Sequence, residues 1–111
     1  MTPRTALSPT ERRAYSRLRQ LLGEPGVLRG TLVEMHRKCG KPSCRCARDA
    51  EARHRALILC LTLDGKRTSV YVPLDWETRV REWVERYGEM RDLVDQLSRS
   101  CLTRLRKRQE L

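Results

Sequence analysis

The chain has 111 residues, a net charge of +10 and no phenylalanine, and 34% of its residues are charged. A chain of this length is expected to form one domain, 1–111, which buries only about 60 to 70% of the surface that its unfolded form exposes. So thin a core is usually supplemented by a metal ion, disulfides or a partner chain. We therefore look first for such a device and only then for an active site.

The positive charge is unevenly distributed along the chain. Residues 1–73 carry 15 Lys/Arg against 6 Asp/Glu, residues 74–98 carry 4 against 7, and residues 99–111 carry 5 against 1. A basic body followed by a mildly acidic segment favours a polyanionic partner, with nucleic acid ahead of a membrane. The alternative is that the arginine content is compositional and the charged surface is merely solvated.

The sequence also indicates the compartment. The N-terminus has no apolar stretch of the length that a secretory signal requires, and the longest apolar run, 56–61, is too short to cross a bilayer. We expect a cytoplasmic protein with reduced thiols and no membrane partner. Five cysteines, an odd number, also fit poorly with a closed disulfide framework.

A helix is predicted over residues 8–23. Ser8 suits the N-cap, Pro9 suits the first helical position, and Glu11 completes a capping box. Apolar residues then recur at helical spacing until Gly23, and a turn follows at 24–26.

Residues 27–73 are predicted to form a small antiparallel sheet of three strands. Residues 27–36 alternate with a period of two, and residues 56–63 place Leu57, Leu59, Leu61 and Leu63 on one face. Asp64-Gly65 is a strong hairpin signal, and residues 68–72 form the returning strand before Pro73.

A long amphipathic helix is predicted over residues 75–108, with Asp75 as its cap. Apolar residues spaced alternately by three and four form a coiled-coil-like seam of about three heptads: Val80, Trp83, Tyr87, Met90, Val94, Leu97 and Cys101. The seam could pack against the N-terminal helix of the same chain. It outlasts that short helix, however, so we also expect contact with another chain, including self-association.

The loop between the first two strands carries the chemistry. Cys39, Cys44 and Cys46 lie within eight residues, and Gly40 and Pro42 favour a tight turn between them. Thiolate and imidazole ligands this close in sequence are typical of structural zinc sites. The sequence therefore predicts one bound Zn²⁺, against alternatives of inert thiols, a redox pair or a regulatory disulfide. Cys60 and Cys101 fall on apolar faces and are more typical of core positions.

The fourth zinc ligand is left open by the sequence. His54, eight residues after Cys46, is our first candidate. His36, three residues before Cys39, is the second, and Cys60 is the third.

Residues 30–83 resemble a family of small, uncharacterised bacterial proteins that are rich in cysteine. The resemblance rests on G-T-L-V at 30–33, C-G-K-P-S-C-R-C at 39–46, His54, G-K-R-T-S-V-Y-V-P at 65–73, and a long helix that begins near Trp83. Family members commonly continue after the histidine with Gly-Pro and aromatic residues, where this chain has Arg55-Ala56. The family is often encoded near mobile-element genes, so the resemblance implies an accessory role in transposition or recombination, with a recombinase or transposase as partner.

These features favour a non-enzymatic, zinc-stabilised protein that binds nucleic acid, with DNA preferred. The two histidines have no evident catalytic partners, and zinc with four protein ligands has no open position for water. The candidate nucleic-acid contacts are the basic residues of the metal loop and the strand ends: Arg37, Lys38, Lys41, Arg45, Arg53, Arg55, Lys66 and Arg67. The alternative is an assembly module that docks through its long helix, with zinc purely structural.

Overall fold

The computed structural model describes residues 7–108 and shows an α+β fold, as the sequence predicts. The two helices are α1 (Pro9–Gly23) and α2 (Glu77–Lys107). The three strands are β1 (Gly30–Arg37), β2 (His54–Leu63) and β3 (Lys66–Val72). Short 3-10 turns cover Arg45–Ala47, Ala50–Ala52 and Leu74–Trp76.

These elements are divided between two compact units. The helical unit comprises residues 7–27 and 85–108, and so contains α1 and the larger part of α2. The sheet unit comprises residues 28–84, and so contains the three strands, their loops and the first turns of α2. Within residues 7–108, no helix combines the length and the apolar character needed to cross a bilayer.

The capping box predicted for α1 is confirmed. The Ser8 hydroxyl accepts a hydrogen bond from the backbone N–H of Glu11 (3.2 Å), and the Glu11 carboxylate accepts one from the backbone N–H of Ser8 (3.1 Å). Pro9 at the first helical position loses no hydrogen bond, because that N–H has no partner within a helix. The sequence alone thus fixes where α1 begins.

Glu11 also joins α1 to α2 within the helical unit. The residue is only 4% exposed, and its carboxylate accepts hydrogen bonds from both terminal nitrogens of Arg104. An exposed second pair joins Arg17 to Glu89 at 2.5 Å. Since residue 11 lies beside residue 104 and residue 17 beside residue 89, the two helices run antiparallel.

The seam predicted on α2 is only partly buried. Val80 and Leu97 are buried, whereas Val94 is 50% exposed and Cys101 is also exposed. From residue 91 onward, Leu97 is buried and Leu93, Gln96, Ser100 and Arg104 are half-buried. An α-helix drifts by about 20° per heptad from a strict seven-residue repeat, and the Glu11 carboxylate draws Arg104 inward. The covered face therefore departs from the predicted seam toward the C-terminus.

Two predicted boundaries are shifted. Asp75 does not cap α2, because it lies inside the 3-10 turn Leu74–Trp76 and the helix proper begins at Glu77. The first strand begins at Gly30 and not at residue 27, since the N–H of Leu28 donates to the carbonyl of Trp83 (3.1 Å) and not to a strand.

The sheet has the order β1-β2-β3, and both pairings are antiparallel. Leu57 and Leu59 of β2 are buried with Val72 of β3 and Val80 of α2, and Leu32 of β1 packs against them. Because side chains alternate across a strand, these residues define a core face, and the residues between them form the opposite face of the sheet. The leucine alternation in β2 therefore predicted the core face correctly.

The hairpin between β2 and β3 turns through two residues. Asp64 and Gly65 both have positive φ, 53° and 74°. A turn of this kind requires positive φ at both central positions, which is why Asp-Gly is favoured there. Leu63 is consequently paired with Lys66, which fixes the register of the whole hairpin.

The buried ion pair of the helical unit has a predictable pH dependence. Hydrogen bonds from Arg104 lower the pKa of Glu11 from 4.5 to about 2. A carboxyl group with a depressed folded-state pKa stabilises the fold above the unfolded pKa, and this stabilisation is lost as the pH falls through the folded pKa. We therefore expect Glu11→Gln to lower the free energy of unfolding by about 2 kcal/mol at pH 7. In urea denaturation, the gap in the free energy of unfolding between wild type and Glu11→Gln should close as the pH falls from about 4.5 to about 2. A gap that persists at pH 2 would show that the charge is not its cause.

Candidate metal centre

The candidate metal ligands come from the loop between β1 and β2 and from the first residue of β2. Cys39 follows the end of β1, and Gly40 has a φ of +86°, which lets the chain reverse. The N–H of Cys44 then donates to the carbonyl of Lys41 (3.1 Å), closing a turn. Cys46 lies in the 3-10 turn that follows and is only 1% exposed.

His54 reaches the same place through the sheet. The antiparallel register pairs Arg37, the last residue of β1, with His54, the first residue of β2. The two ends of the loop are therefore held side by side. As a result, a histidine eight residues after Cys46 lies beside the cysteine cluster.

The four ligand atoms have the spacing of a metal site. The Sγ atoms of Cys39 and Cys46 are 3.6 Å apart, and Cys44 Sγ lies 3.3 Å from His54 Nε2. All four atoms lie within 4.8 Å of one another. Ligands held at about 2.0 to 2.3 Å from one tetrahedral centre would be about 3.3 to 3.8 Å apart. Three thiols and an imidazole at these distances could hold one metal ion.

Backbone hydrogen bonds tune the thiols of this cluster. The N–H of Cys46, and then its side chain, lower the pKa of Cys44. The N–H of Cys39 donates to Cys46 Sγ (3.3 Å) and favours its thiolate, but burial and the neighbouring thiols raise the pKa of Cys46 overall. Because metal ions bind thiolates, a metal ion at this cluster would displace the Cys46 proton.

The other two candidates for the fourth ligand lie outside the cluster. His36 alternates with Arg37 along β1, so it belongs to the core face whereas His54 belongs to the opposite face. Cys60 is six residues beyond His54 on β2, which is about 20 Å along a strand. Its thiol lies instead 3.8 Å from the hydroxyl of Ser69.

Two of the eight candidate nucleic-acid contacts are engaged by carboxylates. Arg55 binds both Glu34 and Glu77, with 2.5 Å between Arg55 Nη2 and Glu77 Oε1. Hydrogen bonds from Arg55, and then from Arg81, hold the pKa of Glu77 at about 2. Arg45 forms an exposed pair with Asp49 at 2.8 Å.

The other six candidates are exposed, and none of them takes part in an ion pair of residues 7–108: Arg37, Lys38, Lys41, Arg53, Lys66 and Arg67. Arg37, Lys38, Lys41 and Arg53 belong to the metal loop or adjoin it, and Lys66 and Arg67 follow the hairpin turn. The structure therefore places available positive charge at both ends of β2.

The sheet face opposite the core carries an apolar row that the sequence did not predict. Val33, Ile58 and Tyr71 are cross-strand neighbours there, one on each strand. Tyr71 is 60% exposed and Val33 is 41% exposed. The alternation in each strand was visible in the sequence, but the row emerges only when the register between strands is known.

The family described as a domain of unknown function (DUF6788) matches residues 10–82, and the chain belongs to that family. Searches among curated proteins and among solved structures gave no match.

The geometry predicts which histidine binds the metal. Mutation of a residue that only hydrogen-bonds to a metal ligand weakens metal binding by roughly 10- to 100-fold. Because His54 would be a ligand itself, His54→Ala should weaken metal binding by more than that. His36→Ala, a matched exposed histidine outside the cluster, should leave the affinity unchanged. Competition with a chromophoric chelator measures both. Metal loss in His36→Ala, with His54→Ala unaffected, would contradict the assignment.

Proposed function

We propose that this member of the DUF6788 family is a non-catalytic accessory protein that binds nucleic acid, with DNA as the first candidate, and whose binding surface is stabilised by zinc. The observation that carries the proposal is the position of the six unpaired basic residues. They lie on the metal loop, beside it and after the hairpin turn, where no carboxylate of residues 7–108 neutralises them.

Zinc is the metal that best fits the donor set. Three thiolates and one imidazole in tetrahedral spacing are typical of Zn²⁺, whereas Mg²⁺ and Ca²⁺ require oxygen ligands. When bound, zinc would cross-link the loop and would have no free position for water, so it would supply stability and not catalysis. Three thiolates and Zn²⁺ leave one net negative charge, which offsets only part of the positive charge of Arg37, Lys38, Lys41 and Arg53 around the loop.

The basic residues are spaced for a polymer and not for a small anion. Arg37 and Arg53 lie at one end of β2, and Lys66 and Arg67 lie at the other. Ten residues of β2 separate these ends by about 30 Å. A nucleic-acid backbone, which carries phosphates at short, regular intervals, can contact both ends at once.

A role in transposition or recombination is supported by the resemblance of residues 30–83 to proteins encoded near mobile-element genes. In that setting the protein would act beside a recombinase or transposase, by holding DNA while its partner performs the chemistry.

A second candidate function, an assembly module, is favoured by exposed apolar residues on α2. Val94 is 50% exposed, Leu105 is 63% exposed, and Cys101 lies between them at helical spacing. Val94 and Cys101 belong to the predicted seam, and Leu105 lies one turn beyond its end. They offer a narrow stripe to a helix of another copy or of a different protein.

Salt dependence tests the nucleic-acid proposal. If about four basic residues neutralise phosphates, a log–log plot of duplex DNA affinity against salt should have a slope of about −3.6. Lys66→Ala combined with Arg67→Ala should remove up to two phosphate contacts, which would flatten the slope to about −1.8. The protein should retain its metal, because both residues are remote from the cluster.

The matched control is Arg12→Ala combined with Arg19→Ala, which removes the same charge from exposed positions of α1. This control should leave the slope nearly unchanged. If both pairs weaken binding equally, positive charge in general and not the hairpin end is responsible. If the wild type does not bind duplex or single-stranded DNA at low salt, the nucleic-acid proposal is wrong.

Sedimentation tests the assembly alternative. Self-association along α2 predicts that wild type sediments as a dimer and that Val94→Glu sediments as a monomer, because a buried charge is costly. Val94 is half exposed in the single chain, so this substitution should not unfold it. Thr103→Glu, at an exposed position of the same helix on the side opposite Val94, shows whether added charge alone is enough. Equal monomer masses for all three would refute self-association.

A further inference from the structure

The sheet face opposite the core, called here the open face, has an apolar centre. Val33, Ile58 and Tyr71 form a row across the three strands, and Met35 adjoins it. They border a shallow cavity of about 430 Å³. Tyr71 is 60% exposed and Met35 is 41% exposed. Tyr71 stands at the β3 end of the row, so its ring is available to a ligand on this face.

Positive charge lies at two opposite corners of the open face. Arg37 pairs with His54 at one end of β2, and Arg67 pairs with Thr62 near the other end. Ile58, the centre of the apolar row, is four residues from His54 and four from Thr62. At about 3.3 Å per residue, each arginine row is therefore about 13 Å from the apolar row along the strands.

The open face carries no negative charge from the strands. Glu34 is the one acidic residue in β1, β2 and β3, and it belongs to the core face, where it binds Arg55. A ligand on the open face thus meets two cations and an aromatic ring between them, with no carboxylate from the strands to repel its phosphates.

We propose that the open face binds single-stranded nucleic acid, with an unpaired base stacked on Tyr71 and the backbone on either side contacting Arg37 and Arg67. This inference rests on the proposed function and specifies that the nucleic acid is bound as a single strand. A base offers a flat apolar face to an aromatic ring, and the flanking phosphates offer charge to arginine. Cys60 and Ser69, which pair across the strands beside the row, place a thiol and a hydroxyl near the edge of the stacked base.

An unpaired strand fits this face better than the two other occupants that its chemistry might suggest. A duplex presents phosphates and groove edges, so it would cover Val33 and Ile58 with charged backbone and leave their apolar surface unmatched. An acidic peptide would satisfy the arginines, but the centre of the face would then require apolar side chains between its carboxylates. Only an unpaired strand alternates stacking surfaces and negative charges at every unit.

The test compares two probes and two substitutions at one fixed salt concentration, since affinities at different salt cannot be compared. The probes are an oligothymidylate of about 12 nucleotides, within the site sizes known for stacking platforms, and a duplex of the same length. Tyr71→Leu removes the ring and keeps an apolar side chain, whereas Tyr71→Phe keeps the ring. Metal content and the urea midpoint show that both variants are folded.

We expect wild type to bind the single strand more tightly than the duplex. Tyr71→Leu should weaken single-strand binding by about 5- to 150-fold, the loss of one stacked base, while Tyr71→Phe retains it. Duplex binding, which depends on charge, should change little in either variant.

Other results overturn the inference in distinguishable ways. If the duplex binds at least as tightly as the single strand and Tyr71→Leu has no effect, the open face is not the binding surface. The proposed function would then still be supported by the salt dependence of duplex binding. If neither probe binds, the inference and the proposed function fail together. A wild-type dimer that Tyr71→Leu dissociates would then assign the open face to a second copy of the chain.

Discussion

The pairing of β1 with β2 is the interaction on which the candidate site depends. It places Arg37 opposite His54 and so brings the two ends of a sixteen-residue loop together. Without that register, the imidazole would have no fixed relation to the three thiols. A slip by one residue would move every side chain of β1 to the other face of the sheet, and the apolar row and the cluster would both be lost.

The distribution of ion pairs separates structural charge from available charge. Arg104 and Arg55 bind buried or half-buried carboxylates, and their role is to hold helices and strands in place. The basic residues beside the metal loop and the hairpin have no such partner in the part of the chain that the structure describes. The formal net charge of +10 therefore does not show where the available charge lies. The sheet unit concentrates its unpaired cations at the two ends of β2.

Local signals in the sequence were sufficient for the fold class and for the cysteine loop. The Ser8–Glu11 capping box, the Asp64-Gly65 turn and the leucine alternation of β2 each act within a few residues, so the chain reveals them directly. The cluster could be anticipated because its three cysteines lie close in sequence. His54 could only be ranked first, since its position depends on a strand register that no local pattern specifies.

Most of the features that the sequence did not reveal involve distant residues. Arg55 looked like a surface cation until Glu34 and Glu77 were found beside it, 21 and 22 residues away. The covered face of α2 departed from the apolar seam because Arg104 meets Glu11, 93 residues earlier. Asp75 was taken as a helix cap, but the chain first makes a 3-10 turn there. In the first two cases a long-range contact overrode the local pattern, whereas at Asp75 the local pattern itself was misread.

The two connections within the sheet differ greatly in length, and this difference bears on the order in which the strands assemble. β2 and β3 are joined by two residues, Asp64 and Gly65, whereas sixteen residues separate β1 from β2. Closing the longer connection costs about 2 kcal/mol more in chain entropy. A metal ion bound by both ends of that connection would offset this cost. With such an ion bound, β1 would be the strand whose attachment depends on it, and an edge of the sheet would be sensitive to the supply of metal.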